Sequence, residues 1–417
     1  MVRLSRVQQQ ERTRASLLAA AVDEFTEHGY AYAKIDRIAA RAELTRGAVY
    51  ANFPSKRALY LAVLLGSAVA ERAAVSLSAP GRPGDPVDLV AGAEAFARVW
   101  LERLPLWGDT AAVGKLTSRS LTGVFDDEPG RAALAGLTGL EGLLLALALE
   151  SCTVPGAKPR GRAAGARARG TGGRTRAAGA RAAGARALDP GARALDGSGA
   201  LDEDGRVRGA DGLVPDTGSR VRLARLVLTL LHGASHLAES APGFGDPFDV
   251  ALACRQLAEA DEGGVWDPPH LAYAVEGQPG HDAWTPPTGL TDLITGRPAR
   301  LRGNGLLVVL GAARLDAAEE AIRSARPGEP VTLAIVTGDA REIGALVRLR
   351  ITDFAASLGR VFGPPSLRVV VDDQAAVASA VGAGTADDTE AAFRLASGRI
   401  TFRAAGRGAG YAAGTYR

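Results

Sequence analysis

The chain has 417 residues, 47% of them hydrophobic and 23% charged, enough apolar material for two or three folded domains. A formal net charge of +3 is too small for a general polyanion-attracting field, so any nucleic-acid affinity must come from a local patch. Two cysteines, Cys152 and Cys254, could pair, but they fit a reducing compartment, because residues 1–14 lack a leader's apolar stretch; the most apolar run, residues 143–149, is too short to span a bilayer. The expected setting is a reducing cytoplasm with no membrane partner. Arginine far outnumbers lysine, and Ala and Gly are abundant, a coding bias that carries no functional information by itself.

From Thr13 the residues Leu18, Ala21, Val22 and Phe25 fall at helical spacing, which predicts a helix with Arg14, Asp23 and Glu27 on its wet side. Gly29 is placed to close that helix, and Tyr30 to begin the turn. A second helix is expected over residues 34–41, burying Ile35, Ile38 and Ala39. Ala42, Glu43 and Leu44 then form a tight turn with Leu44 as its apolar plug. Thr45 can cap a third helix through its hydroxyl, while Gly47 and Ala48 are small enough to let the backbone approach a phosphate chain. Pro54 ends the unit and starts the next helix. Two short helices across a tight turn are expected to make a DNA-reading device, the alternative being a helical hairpin whose charges merely solvate a face.

The run of residues 25–59, FTEHGYAYAKIDRIAARAELTRGAVYANFPSKRAL, resembles the N-terminal domain of TetR/AcrR-type transcriptional repressors. A Gly-aromatic turn, an Ile-x-x-Ile-Ala helix, a T-x-G-A-V-Y recognition helix and an N-F-P-S-K exit occur in that order. The resemblance implies a DNA interface of Lys34, Thr45, Arg46, Gly47, Tyr50, Asn52 and Lys56, with no catalytic, cofactor or metal residue. Arg46, near the start of the recognition helix, can offer its fork of donors to a guanine edge, and Thr45 can reach a base or a phosphate. Tyr50, Asn52 and Lys56 take the places of phosphate contacts, which set register and carry little sequence information. Where the family contacts a phosphate through a hydroxyl residue this chain has Ala33, so that contact is lost or taken over by Lys34. An arm with Arg3, Arg6, Arg12 and Arg14 could track phosphates or enter a minor groove.

Helical patterns continue over residues 57–78, 86–106 (with Phe96, Trp100 and Leu104 on one stripe) and 131–150, the last nearly all apolar and therefore buried. Residues 155–218 repeat variants of Ala-Ala-Gly-Ala-Arg with almost no large apolar side chains, which predicts a disordered insertion. Its arginines, such as Arg160, Arg167, Arg169, Arg174 and Arg181, either add nonspecific DNA affinity or decorate an inert loop. From Arg220 two further helices resemble the last pair of the TetR ligand-binding domain. That likeness implies a homodimer through a four-helix bundle, with Leu223, Leu226, Val227 and Leu230 on the seam, reading a palindromic double-stranded operator. His232, His236 and Glu239 share a helix face at metal-compatible spacing but lack a fourth ligand. Phe96, Trp100, Trp107 and Phe125 either line an effector pocket or pack a core.

Residues 263–300, rich in Pro and Gly, read as an extended connector. Beyond it strands are expected at 306–310, 331–336 and 367–371, helices at 317–325, 343–358 and 375–381, and a terminal hairpin of 391–396 and 399–404 across Ser397 and Gly398. That order resembles a thioredoxin-like domain. Its Cys-x-x-Cys place holds Gly311-Ala312-Ala313-Arg314-Leu315-Asp316, no thiol follows, and the customary proline is absent near Thr389, which points to a noncatalytic sensor or docking module. A rival nucleotide-binding reading lacks a Gly-x-Gly-x-x-Gly run opening a helix. The expected fold class is thus multidomain: an all-α TetR-like part followed by an α/β thioredoxin-like domain. Its divisions are a head (1–56), a helical ligand-binding and dimerisation body (57–262, interrupted by 155–218), a connector (263–300) and the α/β domain (301–417). The expected function is a non-enzymatic, sequence-specific repressor released from its operator by a small-molecule effector. The alternatives are a DNA-tethered oxidoreductase-like enzyme and a nonspecific architectural DNA-binding protein.

Overall fold

Periodic apolar residues fold the first part as α1 (Arg6–Tyr32), α2 (Ile35–Arg41), α3 (Arg46–Asn52), α4 (Lys56–Ser78), α5 (Leu89–Leu101), α6 (Glu128–Glu150), α7 (Thr217–Ser240) and α8 (Pro247–Glu259). The structure is a computed structural model that describes residues 5–78, 87–104, 121, 123–153, 217–241, 243–261, 274–326 and 328–416. Arg3, Trp107, the expected insertion up to residue 216 and residues 262–273 of the connector lie outside the described residues.

Acidic caps fix several helix starts. Asp88 accepts from the Val90 and Ala91 amides, Asp127 from Gly130 and Asp246 from Phe248, each satisfying donors that a first turn leaves open. The apolar run 143–149 belongs to the longer α6, whose 23 residues are long and apolar enough to cross a bilayer. In this fold α6 is a core helix, with Leu137, Leu140, Leu144, Leu145 and Leu149 buried.

The second part alternates strand and helix: β1 (Gln278–Ala283), β2 (Gly305–Gly311), α9 (Ala317–Ser324), β3 (Val331–Val336), α10 (Ile343–Gly359), β4 (Leu367–Val371), α11 (Ala376–Val381), β5 (Glu390–Ala396), β6 (Arg399–Ala405) and α12 (Ala409–Thr415). Six strands make one mixed sheet in the order β1-β6-β5-β2-β3-β4. β2, β3 and β4 are parallel, while β5, β6 and β1 are antiparallel. The two-residue period sorts the faces: Leu306, Val308 and Leu310 join the core that holds α10 and α12, and Leu307 and Val309 join a smaller one with Val377, Val381 and Trp284. Ser397 and Gly398, with φ of +50° and +72°, turn β5 into β6 as the hairpin signal predicts.

Two elements escape the sequence reading. β1 lies inside the expected connector, paired antiparallel with β6. The Gly-rich tail forms α12, because Gly410 and Gly414 let it approach α9 closely; a Cβ there would meet Ala321 at 2.6 Å and Ser324 at 2.4 Å.

All these elements fall within one compact unit, and α10 is why. One side of α10 covers the sheet and the other packs on α4, α5 and α6, leaving nearly all of Ile343–Leu358 buried. Phe354 and Phe362 stand against Phe96 at 5.7 and 6.3 Å between ring centroids, and Phe354 also meets Trp100 at 6.2 Å. The buried Arg350 guanidinium donates in bidentate fashion to the buried Glu141 carboxylate, 2.7 and 2.6 Å away on α6. Arg103 meets Asp353 at 2.6 Å, and Glu102 meets Arg360 at 2.7 Å.

Candidate nucleic-acid interface

The head is held together by Leu17, Ala21, Phe25, Ile35, Ile38, Ala39, Val49, Phe53 and Leu59, all buried. The inward stripe of α1 is turned by one position from the predicted one: Leu17, Ala20, Ala21 and Phe25 are buried, while Val22 is exposed. The cause is Glu24, an acid that faces inward. Its Oε1 accepts from the Lys34 amide at 2.9 Å and from Arg37 Nε at 2.7 Å, and Arg41 and His28 stand 3.6 Å from Oε2. Burial pushes the Glu24 pKa up, but the Arg37 and Lys34 hydrogen bonds outweigh it and hold the carboxyl below its ordinary range. Glu24, Glu27 and His28 offer ligand atoms within 4.8 Å of one another, yet Arg37 and Arg41 already occupy both carboxylates.

Gly29 breaks α1 at φ +66°, a conformation that costs glycine little. The expected basic arm is helical instead: Arg6, Arg12 and Arg14 lie on α1, which Ser5 and Gln8 start with a reciprocal capping box. Glu43 takes φ +54° in the turn between α2 and α3, and the Leu44 amide reaches back to the Ala39 carbonyl at 2.9 Å. Thr45 Oγ1 then accepts from the Ala48 amide at 3.2 Å and caps α3. Thr45→Ala should cost about 1 kcal/mol, read as a lower thermal midpoint, with Thr45→Ser close to the parent chain. The start of α4 differs from expectation: the helix begins at Lys56, not at Pro54, and Ser55 caps it by accepting from the Ala58 amide at 2.9 Å.

Val49 turns inward on α3, and Thr45, Arg46, Gly47 and Tyr50 are exposed together. The Arg46 guanidinium lies 3.5 Å from Asp36 on α2 and 5.6 Å from the Tyr50 ring centroid. Lys34 is exposed at the start of α2. Asn52 and Lys56 are half-buried: Asn52 Nδ2 donates to the Ala48 carbonyl at 2.9 Å, and Lys56 Nζ to the carbonyls of Ala31 and Ala33 at 3.2 and 3.1 Å. Lys56 also sits 4.7 Å from the Tyr30 ring centroid, so it clasps the break in α1. Asp36 was not among the expected site residues; its charge beside Arg46 comes from folding α2 against α3, which spacing does not display.

Outside the head, His232 turns inward with its ring edge-on to Trp100 and Nε2 3.8 Å from Glu141, while His236 and Glu239 are exposed. Both cysteines are free thiols, and burial pushes Cys152 up to about 11 and Cys254 up to about 12.

A capped, seven-residue third helix presented on a tight two-helix frame defines a helix-turn-helix DNA-binding head. Residues 17–63 match the family described as bacterial regulatory proteins, tetR family, and form its N-terminal DNA-binding domain. A stretch of 54 residues is 46% identical to the HTH-type transcriptional repressor SCO4008 of Streptomyces coelicolor, covering 13% of this chain and 28% of that protein.

Proposed function

We propose that this chain is a non-enzymatic, sequence-specific transcriptional regulator of the repressor type, acting in the cytoplasm as a homodimer on a palindromic operator and released by a small-molecule effector. The observation that carries the reading is the exposed cluster of Thr45, Arg46, Gly47 and Tyr50 on the capped α3. Its test is competition binding at one fixed salt concentration between the DNA upstream of the protein's own gene and random-sequence DNA. A specific regulator prefers its site by about 10³-fold or more, whereas an architectural protein binds both alike.

The dimer reading is supported by a shifted seam. Leu223 and Val227 pack inward and are unavailable to a partner, but Leu226, Leu237, Phe248 and Leu252 on α7 and α8 are exposed. A two-fold seam uses each side chain twice, so at roughly 1.5–3 kcal/mol per buried leucine the variant Leu226→Glu/Leu252→Glu should dissociate the dimer. Sedimentation velocity is expected to give a monomer, with operator affinity falling in parallel.

The second part supports a thioredoxin-like arrangement in its β3-β2-β5-β6 order with a terminal hairpin and helix. With no thiol among residues 263–417 it lacks the nucleophile of disulfide exchange. We take it as a sensor or docking module.

A further inference from the structure

A groove of about 620 Å³ opens between the head and the α/β part, within the roughly 300–1,000 Å³ typical of small-molecule sites. Its floor is apolar, built from Phe53, Ala58 and Leu65 on one side and Ala345 of α10 on the other. Its rim is basic, with Arg14 of α1, Arg341 from the turn before α10 and Arg348 of α10, against Glu11 as the lining acid. Arg348 is paired with Asp373 at 3.1 and 2.5 Å, and Arg14 is laid over the Phe53 ring at 4.4 Å. Among the described residues neither Arg14 nor Arg341 has a carboxylate within 4 Å.

The far wall is rigidly placed. Asp339 Oδ1 accepts from the Arg341 and Glu342 amides at 3.2 and 2.9 Å, and Glu342 in turn accepts from Ser55 and Arg57 at the start of α4. Arg341 is therefore held beside the end of the recognition helix, where Ala51 and Asn52 complete the groove. Of the two roles open to the aromatic stripe, Phe96 and Trp100 take core packing, against Phe354 of α10.

We propose that this groove binds an amphiphilic organic anion, a carboxylate or phosphate monoester on a short apolar chain, and is the effector site. The apolar floor takes the chain, and Arg14 and Arg341 take the head group by charge-assisted hydrogen bonds. A DNA phosphate would use the rim and leave the floor empty. An occupant touching Asn52 and Arg341 together pins the recognition helix to the α/β part, and its differential affinity for that arrangement shifts DNA binding. The regulatory half rests on the repressor reading; the binding half does not.

Titration calorimetry of monomeric decanoate into the full chain tests the binding half without DNA. One saturable site per protomer is expected, weakened at least about tenfold in Arg341→Ala by loss of a charge-assisted bond, and largely kept in Arg341→Lys. 1-Decanol should bind more weakly and be indifferent to Arg341→Ala. No saturable decanoate binding, or binding untouched by both Arg341→Ala and Arg14→Ala, would overturn the site. So would Arg341→Ala lowering random-DNA affinity and its salt slope in a chain that ignores decanoate, which assigns the rim to DNA backbone. For the regulatory half, saturating decanoate should move operator affinity in the parent chain and not in Arg341→Ala. Decanoate binding with unchanged operator affinity overturns that half alone, and a chain with no operator preference at all fails the repressor reading while leaving the calorimetry intact.

Discussion

Glu141→Ala should destabilise the chain by roughly 3–5 kcal/mol, the usual consequence of removing one partner from a buried ion pair. The carboxylate on α6 is the bidentate acceptor for Arg350 on α10, and both side chains are almost wholly out of water. Truncation leaves the buried guanidinium without its bidentate acceptor and with only the Coulombic pull of Asp353, a carboxylate already bonded to Arg103. By contrast Glu141→Leu with Arg350→Met removes both charges and keeps the volume, so it should recover most of the loss. The pH dependence follows from the same pair. Burial raises the Glu141 pKa, but Arg350 and His232 overcome it and bring it to about 2. Because the folded value lies below the unfolded one, about 4.3, the contribution is fully present above that pH and is lost as pH falls toward 2. Urea melts at pH 7 and pH 3, followed by circular dichroism, should show the acid-sensitive part in the parent chain and not in the double variant. A Glu141→Ala chain as stable as its parent would mean that α10 does not seal the helical part to the sheet.

Arg46→Ala should weaken operator binding by roughly 1–3 kcal/mol, about 5- to 150-fold, and relax selectivity at one base position. Arg46 is exposed near the start of α3, and in the free protein its guanidinium is shared between Asp36 and the Tyr50 ring. The acid at 3.5 Å favours the free state and taxes every encounter with DNA, so only a well-placed acceptor draws the fork away. Arg46→Lys keeps the charge and loses the bidentate geometry. It should therefore lose selectivity while retaining the salt slope of the parent. Equal losses on operator and random DNA in Arg46→Ala would make this residue a phosphate contact.

The head was legible because its determinants are local. Thr45 caps the helix beside it, Gly29 takes the positive φ that a helix break needs, and Ile35, Ile38 and Ala39 are spaced for one face. What stayed hidden depends on contacts between distant segments. Glu24 looks like any acid on a helix until Lys34 and Arg37 fold onto it. Lys56 sits among basic residues in sequence, but its ammonium reaches back to the carbonyls of Ala31 and Ala33. Strand β1, QPGHDA, carries neither alternation nor β-branched residues, and only the free edge of β6 makes it a strand. The tail that forms α12 is rich in glycine, which disfavours isolated helices and allows this one to lie close on α9. The sealing role of α10 did leave a trace. Arg350 and Asp353, three apart and so on one face, interrupt a run of apolar residues, and buried charges require partners on the element they face.

In vitro selection from a random-sequence duplex library, using the full chain at physiological salt, puts the question to the recognition helix directly. Enrichment of a palindrome with half-sites about one helical turn apart, 10–10.5 bp or a multiple, is expected, and it should lose definition at one position per half-site in Arg46→Ala. Recovery of a library with no common sequence would contradict the account.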